Sequence, residues 1–162
     1  MYYTKTLIAR LQRKYKVLVF LDFHGHSQRK NTFFYGPAYP ISHRDYYRCR
    51  ALPKLIEKIN PSFRFYSCSF QISEVKRSAA RAVALSQLRV PYAFTVESSV
   101  GLYYDPNVMK TFNFTLESWE DMGRNIALGL TQFIMGIEEL EQISRERKLL
   151  REKQKEGKIK EK

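Results

Sequence analysis

A continuous apolar run near the N-terminus constrains the fold of this chain most strongly. Residues 17–23, VLVFLDF, are rich in valine, leucine and phenylalanine, and this pattern predicts a strand that is covered on both faces. Asp22 lies within the run, and His24 and His26 follow it. Because side chains alternate along a strand, these three polar residues are expected to share one face. The predicted strand therefore ends in ionisable residues, which are costly to place at the edge of a core.

Helical and strand patterns alternate along the next part of the chain. Helices are predicted at residues 4–14, 45–59 and 77–89, and further strands at residues 31–36 and 92–97. Pro53 limits where the second helix starts or bends. This alternation predicts an α/β fold with a mixed, partly parallel sheet flanked by helices.

A long C-terminal helix is predicted from about Thr115, with Thr115 or Ser118 as its N-cap. Its apolar residues recur every three or four positions and predict a stripe that packs on the sheet: Leu116, Trp119, Met122, Ile126, Leu130, Phe133, Ile137 and Leu140. Beyond Ile143 the residues are of mixed charge, which predicts a helix end that frays into a disordered tail. We therefore expect a folded part over residues 1–140 and a charged helical or disordered tail over residues 141–162.

The chain is strongly basic, with 28 Lys and Arg against 16 Asp and Glu and a net charge of +12. Residues 138–162 contain nine of the bases and seven of the acids, so residues 1–137 carry +10. A basic body favours an anionic partner, which can be nucleic acid, a membrane surface or an acidic polypeptide. A solvated basic surface without a partner is the alternative.

Two cysteines, Cys49 and Cys68, are too few for a disulfide scaffold and lack the spacing of a metal site. Reduced thiols in a cytoplasmic protein are the expected state. The first 16 residues have no signal-peptide pattern, and the apolar run of seven residues is too short to span a bilayer.

Two predicted strands end in ionisable residues, and ligands of α/β proteins bind beyond the carboxyl ends of strands. An imidazole of the DFHGH segment could bind a metal ion, or the histidines could be hydrogen-bonded structural groups. Glu97 ends the strand YAFTVE and could act as a general base, or it could form an ion pair with an arginine. The pattern alone leaves both alternatives open.

Residues 22–36, DFHGHSQRKNTFFYG, closely resemble the segment that marks the cytosolic carboxypeptidase branch of the zinc carboxypeptidases. Three later segments are similar to that family in order and spacing: CSFQISEVKRSAARAVALSQL, YAFTVESS and FTLESWEDMGRNIALGL. The resemblance covers residues from about 2 to 137. It implies an incomplete zinc carboxypeptidase-like fold that corresponds to the C-terminal part of the catalytic domain.

The resemblance also implies an activity and a cofactor. In that family a zinc ion, held by two His and one Glu, activates water to cleave a C-terminal peptide bond. His24 matches one zinc ligand, which implies that the strand stops on His24 at the mouth of the site, and Glu97 matches the general base. Asp22 and His26 match residues of the site wall.

The substrate implied by the resemblance is an acidic protein tail from which C-terminal glutamates are removed, above all the polyglutamylated tail of tubulin. Arg81 matches the family's arginine that pairs the acidic side chain, and Lys76 adds positive potential nearby. The implied location is the cytoplasm, with association to microtubules or cilia as a further expectation. Nucleic acid and membrane are not expected as partners.

The chain departs from the family pattern at several positions. Ser78 and Ala79 replace a Gly-Thr pair, Gln28 replaces a base, and Val100 follows the ESS segment. The sequence contains no H-x-x-E motif, and its histidines are His24, His26 and His43.

We therefore expect an incomplete catalytic domain that is inactive as an isolated chain. The alternative is an inactive, truncated paralogue that binds acidic tails. A nucleic-acid-binding module ranks last, because the bases are spread along the chain rather than concentrated on one element.

Overall fold

The computed structural model describes the backbone of residues 2–160 and the side chains of residues 2–152. The helices are α1 (Tyr2–Leu11), α2 (Asp45–Ile59), α3 (Ala80–Ser86) and α4 (Leu116–Lys160), with short 3₁₀ turns at Phe65–Ser67 and Glu74–Lys76. The strands are β1 (Val19–His26), β2 (Thr32–Tyr35), β3 (Tyr92–Ser99), β4 (Leu102–Asp105) and β5 (Lys110–Asn113). Across residues 2–160, no helix combines the length and the apolar character needed to cross a membrane.

The main sheet has the strand order β1-β3-β2. β1 runs parallel to β3 and β2 runs antiparallel to it, which confirms the predicted partly parallel sheet. β3 therefore lies in the middle, although β1 and β2 are consecutive in the chain. Within the described part of the chain, β1 pairs with β3 alone, so its other edge is open.

One face of the sheet packs against α2 and α4 and forms the larger core. Phe34, Phe94 and Val96 from the sheet meet α2 and α4 residues such as Ile56 and Phe133, and all are at most 3% exposed. Burial of each of these side chains stabilises the fold by about 1.5–3 kcal/mol. β1 departs from the predicted strand covered on both faces: its residues are half-buried or exposed, and Phe23 is 61% exposed, because β1 lies at the edge of the sheet.

The helices α2 and α4 approach closely at Gly129 on α4. A Cβ at this position would lie 2.9 Å from Ile56 Cγ1. A larger residue would push the two helices apart and open the core between them.

The opposite face of the sheet is divided into two halves. Its N-terminal half is covered by a smaller core that includes Ile8 of α1, Ala84 of α3 and Ala93 of β3. Farther along, the side chains on this face become polar at Asp22 and His24 of β1. This polar half forms the wall of a cleft.

The start of α4 confirms Thr115 as a capping residue. The Ser118 N–H donates to Thr115 Oγ1 (3.2 Å), and the Thr115 N–H donates to Ser118 Oγ (2.7 Å). This reciprocal pair satisfies backbone donors that a helix start leaves free.

The predicted apolar stripe of α4 is buried in part. Met122, Ile126, Phe133 and Ile137 lie in the core, while Leu116, Trp119 and Leu140 are 71%, 40% and 47% exposed. The backbone stays helical through Lys160, which corrects the predicted fraying after Ile143. The division into residues 1–140 and 141–162 stays a prediction.

Three predicted boundaries were wrong. β1 begins at Val19 and continues through His26, because its pairing with β3 extends to His26 and Ser99, so the strand does not stop on His24. α1 covers Tyr2–Leu11 rather than residues 4–14. α3 covers Ala80–Ser86 rather than residues 77–89, because a 3₁₀ turn precedes it and Arg89, at φ 54°, redirects the chain toward β3.

Candidate functional site

A cleft of about 1050 Å³ lies on the polar half of the sheet. It is lined by all four residues predicted to act on metal or substrate: His24, Lys76, Arg81 and Glu97. Asp22 and His26, predicted as site-wall residues, also line it. The fold thus brings together residues that are up to 75 positions apart in the sequence. Their individual roles stay predictions.

The strand register sets the order of side chains across the cleft. His24 of β1 is the partner of Glu97 of β3, and Asp22 is the partner of Thr95. On the other side of β3, antiparallel pairing places Tyr35 of β2 opposite Thr95. Partners in adjacent strands present their side chains on the same face of a sheet. One wall of the cleft is therefore built on paired strands rather than on a loop beyond a strand end.

The ring of His24 is held by a carboxylate. His24 Nε2 lies 2.9 Å from Asp22 Oδ2, and the two side chains are 50% and 31% exposed. When Nε2 carries the proton and donates it to Asp22, the lone pair of Nδ1 remains available for another partner. A carboxylate that holds one nitrogen of an imidazole in this way is typical of metal-binding histidines.

His26 makes a different set of contacts. Its Nδ1 accepts hydrogen bonds from the Gln28 N–H (3.2 Å) and the Arg29 N–H (3.0 Å), and its ring lies edge-on to Phe33. The Nδ1 lone pair is therefore used in shaping the turn between β1 and β2. This arrangement agrees with a wall residue rather than a ligand.

Arg81 is a buried cation at the cleft. It lies in the first turn of α3 and is 7% exposed, and among the described residues its Nε has no hydrogen-bond partner. Burial lowers the pKa of Arg81, whereas Tyr35 and Glu97 raise it. An arginine remains protonated under such conditions. Leaving a buried donor unpaired costs about 1–3 kcal/mol, so an anion that bonded to Arg81 would offset this cost.

Lys76 and Glu97 flank Arg81 in the same cleft. Lys76 is exposed at the end of a 3₁₀ turn, and no carboxylate lies within ion-pair distance of it among the described side chains. Glu97 is half-buried and likewise forms no ion pair with a described side chain. The arginine partner considered as an alternative for Glu97 is therefore not found at ion-pair distance among residues 2–152.

The described side chains of the cleft supply too few ligands for a complete zinc site. No group of three or more His, Cys, Asp and Glu side chains that could hold a metal occurs among the described residues. A catalytic zinc site takes three protein ligands and an open position. The cleft offers one oriented imidazole, His24, so the described residues do not make a complete zinc site.

The sequence did not reveal two parts of the cleft. Tyr35 lines it because β2 pairs antiparallel to β3, an order that the sequence leaves undetermined. The wall around Phe70 is attached to the end of β2, where the Gly36 N–H donates to Ser69 O (2.8 Å). A Cβ on Gly36 would lie 2.6 Å from Phe70 Cδ1. The Gly-Pro pair after the TFFY strand was the available signal for this close approach.

Comparison with solved structures identifies the fold. A metallo-carboxypeptidase from Burkholderia cenocepacia aligns with 81% of this chain and 34% of its own chain, at a TM-score of 0.62 and 13% identity. At this identity the match establishes the fold. The chain therefore has a metallo-carboxypeptidase fold over most of its length.

Curated relatives establish the family. Cytosolic carboxypeptidase 1 of Xenopus laevis is 32% identical over 145 residues, which cover 80% of this chain and 12% of the relative. Cytosolic carboxypeptidase 4 of Mus musculus is 34% identical over 149 residues, covering 82% and 12%. Cytosolic carboxypeptidase 2 of Homo sapiens is 32% identical over 134 residues, covering 82% and 14%.

No protein-family model matches the sequence. On the strength of the curated relatives, the chain belongs to the cytosolic carboxypeptidase family. It spans about one-eighth of the length of the relatives that it matches.

Proposed function

We propose that the cleft binds the C-terminal residue of an acidic protein tail, and that the chain forms part of a zinc-dependent carboxypeptidase that removes C-terminal glutamates. Tails of the tubulin type are the proposed substrates. The relatives are named cytosolic, which supports a cytoplasmic location for this protein. Association with microtubules or cilia would follow from the tubulin substrate.

The observation that carries this proposal is Arg81, a buried cation that lines the cleft and whose Nε has no hydrogen-bond partner among the described residues. A guanidinium can bind a carboxylate through two parallel hydrogen bonds, which fixes both the charge and the orientation of the bound group. A glutamate side chain that entered the cleft would pair with the Arg81 guanidinium. Glutamine, which has nearly the same shape and no charge, would not form the same ion pair.

The charge around the cleft agrees with an acidic substrate. Lys76 adds a second cation at the cleft, and residues 1–137 carry +10. A field of this sign accelerates the approach of a polyanionic tail, and salt weakens the effect. The acidic residues upstream of the cleaved bond would contribute most to this attraction.

Glu97 is the proposed general base. Its half-buried carboxylate lies in the cleft beside His24, its register partner, and has no ion pair with a described side chain. From that position it would take the proton of an attacking water and later donate it to the leaving amine.

Zinc is the proposed cofactor of the whole site, with His24 as the ligand from this chain. The described residues contain no three-ligand group, so we propose that the other ligands come from outside this sequence. The much greater length of the relatives supports this part of the proposal.

A binding experiment tests the proposed specificity. Two fluorescent peptides that differ only in ending with Glu or Gln are titrated with the full chain, as wild type and as Arg81→Gln. The wild type should prefer the Glu peptide, and Arg81→Gln should remove most of that preference. Arg10→Gln is the matched control, since Arg10 is exposed on α1 and does not line the cleft. Equal affinity of the wild type for both peptides would refute the proposal.

A second function is favoured by the incomplete ligand set. The chain could bind acidic tails without cleaving them, as an inactive truncated paralogue would. Glutamate release, measured on the longer protein that would supply the other zinc ligands, separates the two functions. The enzyme would release glutamate, and either a chelator or Glu97→Gln would abolish the release. The binding protein would release none and would keep its affinity for Glu-terminated peptides under both treatments.

A further inference from the structure

Tyr35 is the residue that covers one face of the Arg81 guanidinium. Arg81 Cζ lies over the Tyr35 ring, 5.3 Å from its centroid. Both residues line the cleft, and the nearby Tyr35 is one of the groups that raise the pKa of Arg81. A cation over an aromatic face is attracted by the ring quadrupole, most strongly where water is excluded.

The ring of Tyr35 is itself held in place. It lies edge-on to Phe33, with centroids 5.5 Å apart and planes at 82°, and Phe33 is fully buried. Its backbone pairs with Thr95 of the central strand. Tyr35 therefore offers Arg81 a fixed surface rather than a mobile neighbour.

An arginine has several rotatable bonds and loses much conformational freedom when it is ordered. Arg81 Nε has no hydrogen-bond partner in the described part of the chain, so that atom does not fix the guanidinium. The N–H groups point along the plane of the guanidinium. Contact of one face with a ring therefore does not itself block the edge of the guanidinium.

We propose that Tyr35 is a positioning residue for Arg81 and thereby sets the selectivity of the cleft for an acidic side chain. This inference rests on the proposed function of the cleft. Tyr35 does not contact the substrate carboxylate in this scheme. It fixes the plane in which Arg81 presents its donors, so that a bidentate pair forms without reordering of the arginine.

The test uses three variants of the full chain with the Glu- and Gln-terminated peptides. Tyr35→Phe keeps the ring, Tyr35→Leu removes it but keeps an apolar side chain, and Tyr66→Leu is the control. Tyr66 is 90% exposed and does not line the cleft. We expect Tyr35→Leu to reduce the preference for Glu about tenfold, while Tyr35→Phe and Tyr66→Leu stay within about twofold of the wild type.

A spectroscopic measurement reports on the same contact without any peptide. The Arg81 Nε–H resonance, identified by its loss in Arg81→Lys, should be shifted by the ring current of Tyr35. It should move toward the usual arginine position in Tyr35→Leu and stay in place in Tyr35→Phe. Nuclear Overhauser effects between Arg81 and the Tyr35 ring in the wild type test the contact even if Tyr35→Leu does not fold.

The outcomes separate the two proposals. A wild type that prefers Glu, together with a folded Tyr35→Leu that keeps the full preference, would overturn the role of Tyr35 and leave the proposed function intact. A wild type without preference would overturn the proposed function. The absence of Overhauser effects between Arg81 and Tyr35 would overturn the positioning role regardless of the binding result.

Discussion

The buried carboxylate of Asp45 provides the sharpest test of how α2 is held against the sheet. Asp45 is 4% exposed, and Tyr92 of β3 donates its O–H to Asp45 Oδ1 at 2.9 Å. Arg44 and Arg48 approach the same carboxylate at 3.5 and 3.6 Å. Arg48 Nη1 is buried and makes no hydrogen bond, so Asp45 is its nearest anionic partner in the described part of the chain.

Asp45→Ala removes this partner from both Tyr92 and Arg48. Loss of a buried hydrogen bond to a charged acceptor costs about 1.5–3 kcal/mol, and leaving a buried charge without its partner costs about 3–5 kcal/mol. The cation–carboxylate distances are long and Arg48 is 20% exposed at its side chain, so we expect the lower end, about 3 kcal/mol. Tyr92→Phe should cost about 1.5 kcal/mol.

Urea denaturation of the full chain, followed by circular dichroism, measures both changes. The double variant should cost less than the sum of the single variants, because Asp45 and Tyr92 share one hydrogen bond. Asp121→Ala is the matched control: its carboxylate pairs with Arg124 on the exposed surface of α4, and its loss should cost at most about 0.5 kcal/mol. A loss below about 1 kcal/mol in Asp45→Ala would refute the reasoning.

Three further predictions follow from the described contacts. Burial raises the pKa of Cys68 from 9.0 to about 12, so the folded state holds this proton more tightly than the unfolded state. The contribution of the Cys68 thiol to stability is complete below pH 9 and is lost as the pH rises from 9 toward 12. The stability of Cys68→Ala should therefore fall less steeply above pH 9 than that of the wild type. Parallel curves of stability against pH for the two proteins would contradict this. Zinc titration of the full chain should show weak binding that His24→Ala barely changes, because one imidazole does not make a catalytic site. Tight stoichiometric zinc binding that is lost in His24→Ala would contradict this prediction. Phe23 is 61% exposed on β1, whose outer edge is open, so Phe23→Lys should reduce self-association in light scattering, and unchanged association would count against a role of this edge.

Much of the fold could be predicted from local patterns. The alternation along residues 17–26 placed Asp22, His24 and His26 on one face, and all three line the cleft. The helix over residues 45–59 was predicted with the bounds that α2 has in the structure. The spacing of its apolar residues and its length are both typical of a helix. These features depend on short-range sequence.

Other features depend on contacts that no local pattern contains. The strand order β1-β3-β2 brings Tyr35 beside Arg81, and it is set by the packing of the sheet rather than by the TFFY segment. The hairpin of β4 and β5 was missed, because Lys110–Asn113 is exposed along its whole length and shows no buried face.

Arg81 illustrates the same limit within the site. Its sequence context, an alanine-rich helix, is typical of a solvent-exposed residue, yet Arg81 is buried. The family motif pointed to it, and local propensity did not.

The most direct measurement of the central claim is a crystal structure of the full chain with a peptide that ends in glutamate. The proposed function predicts the terminal side-chain carboxylate within hydrogen-bond distance of the Arg81 guanidinium, with that guanidinium over Tyr35. A peptide bound elsewhere, or a glutamate carboxylate paired with Lys76 and not with Arg81, would contradict it.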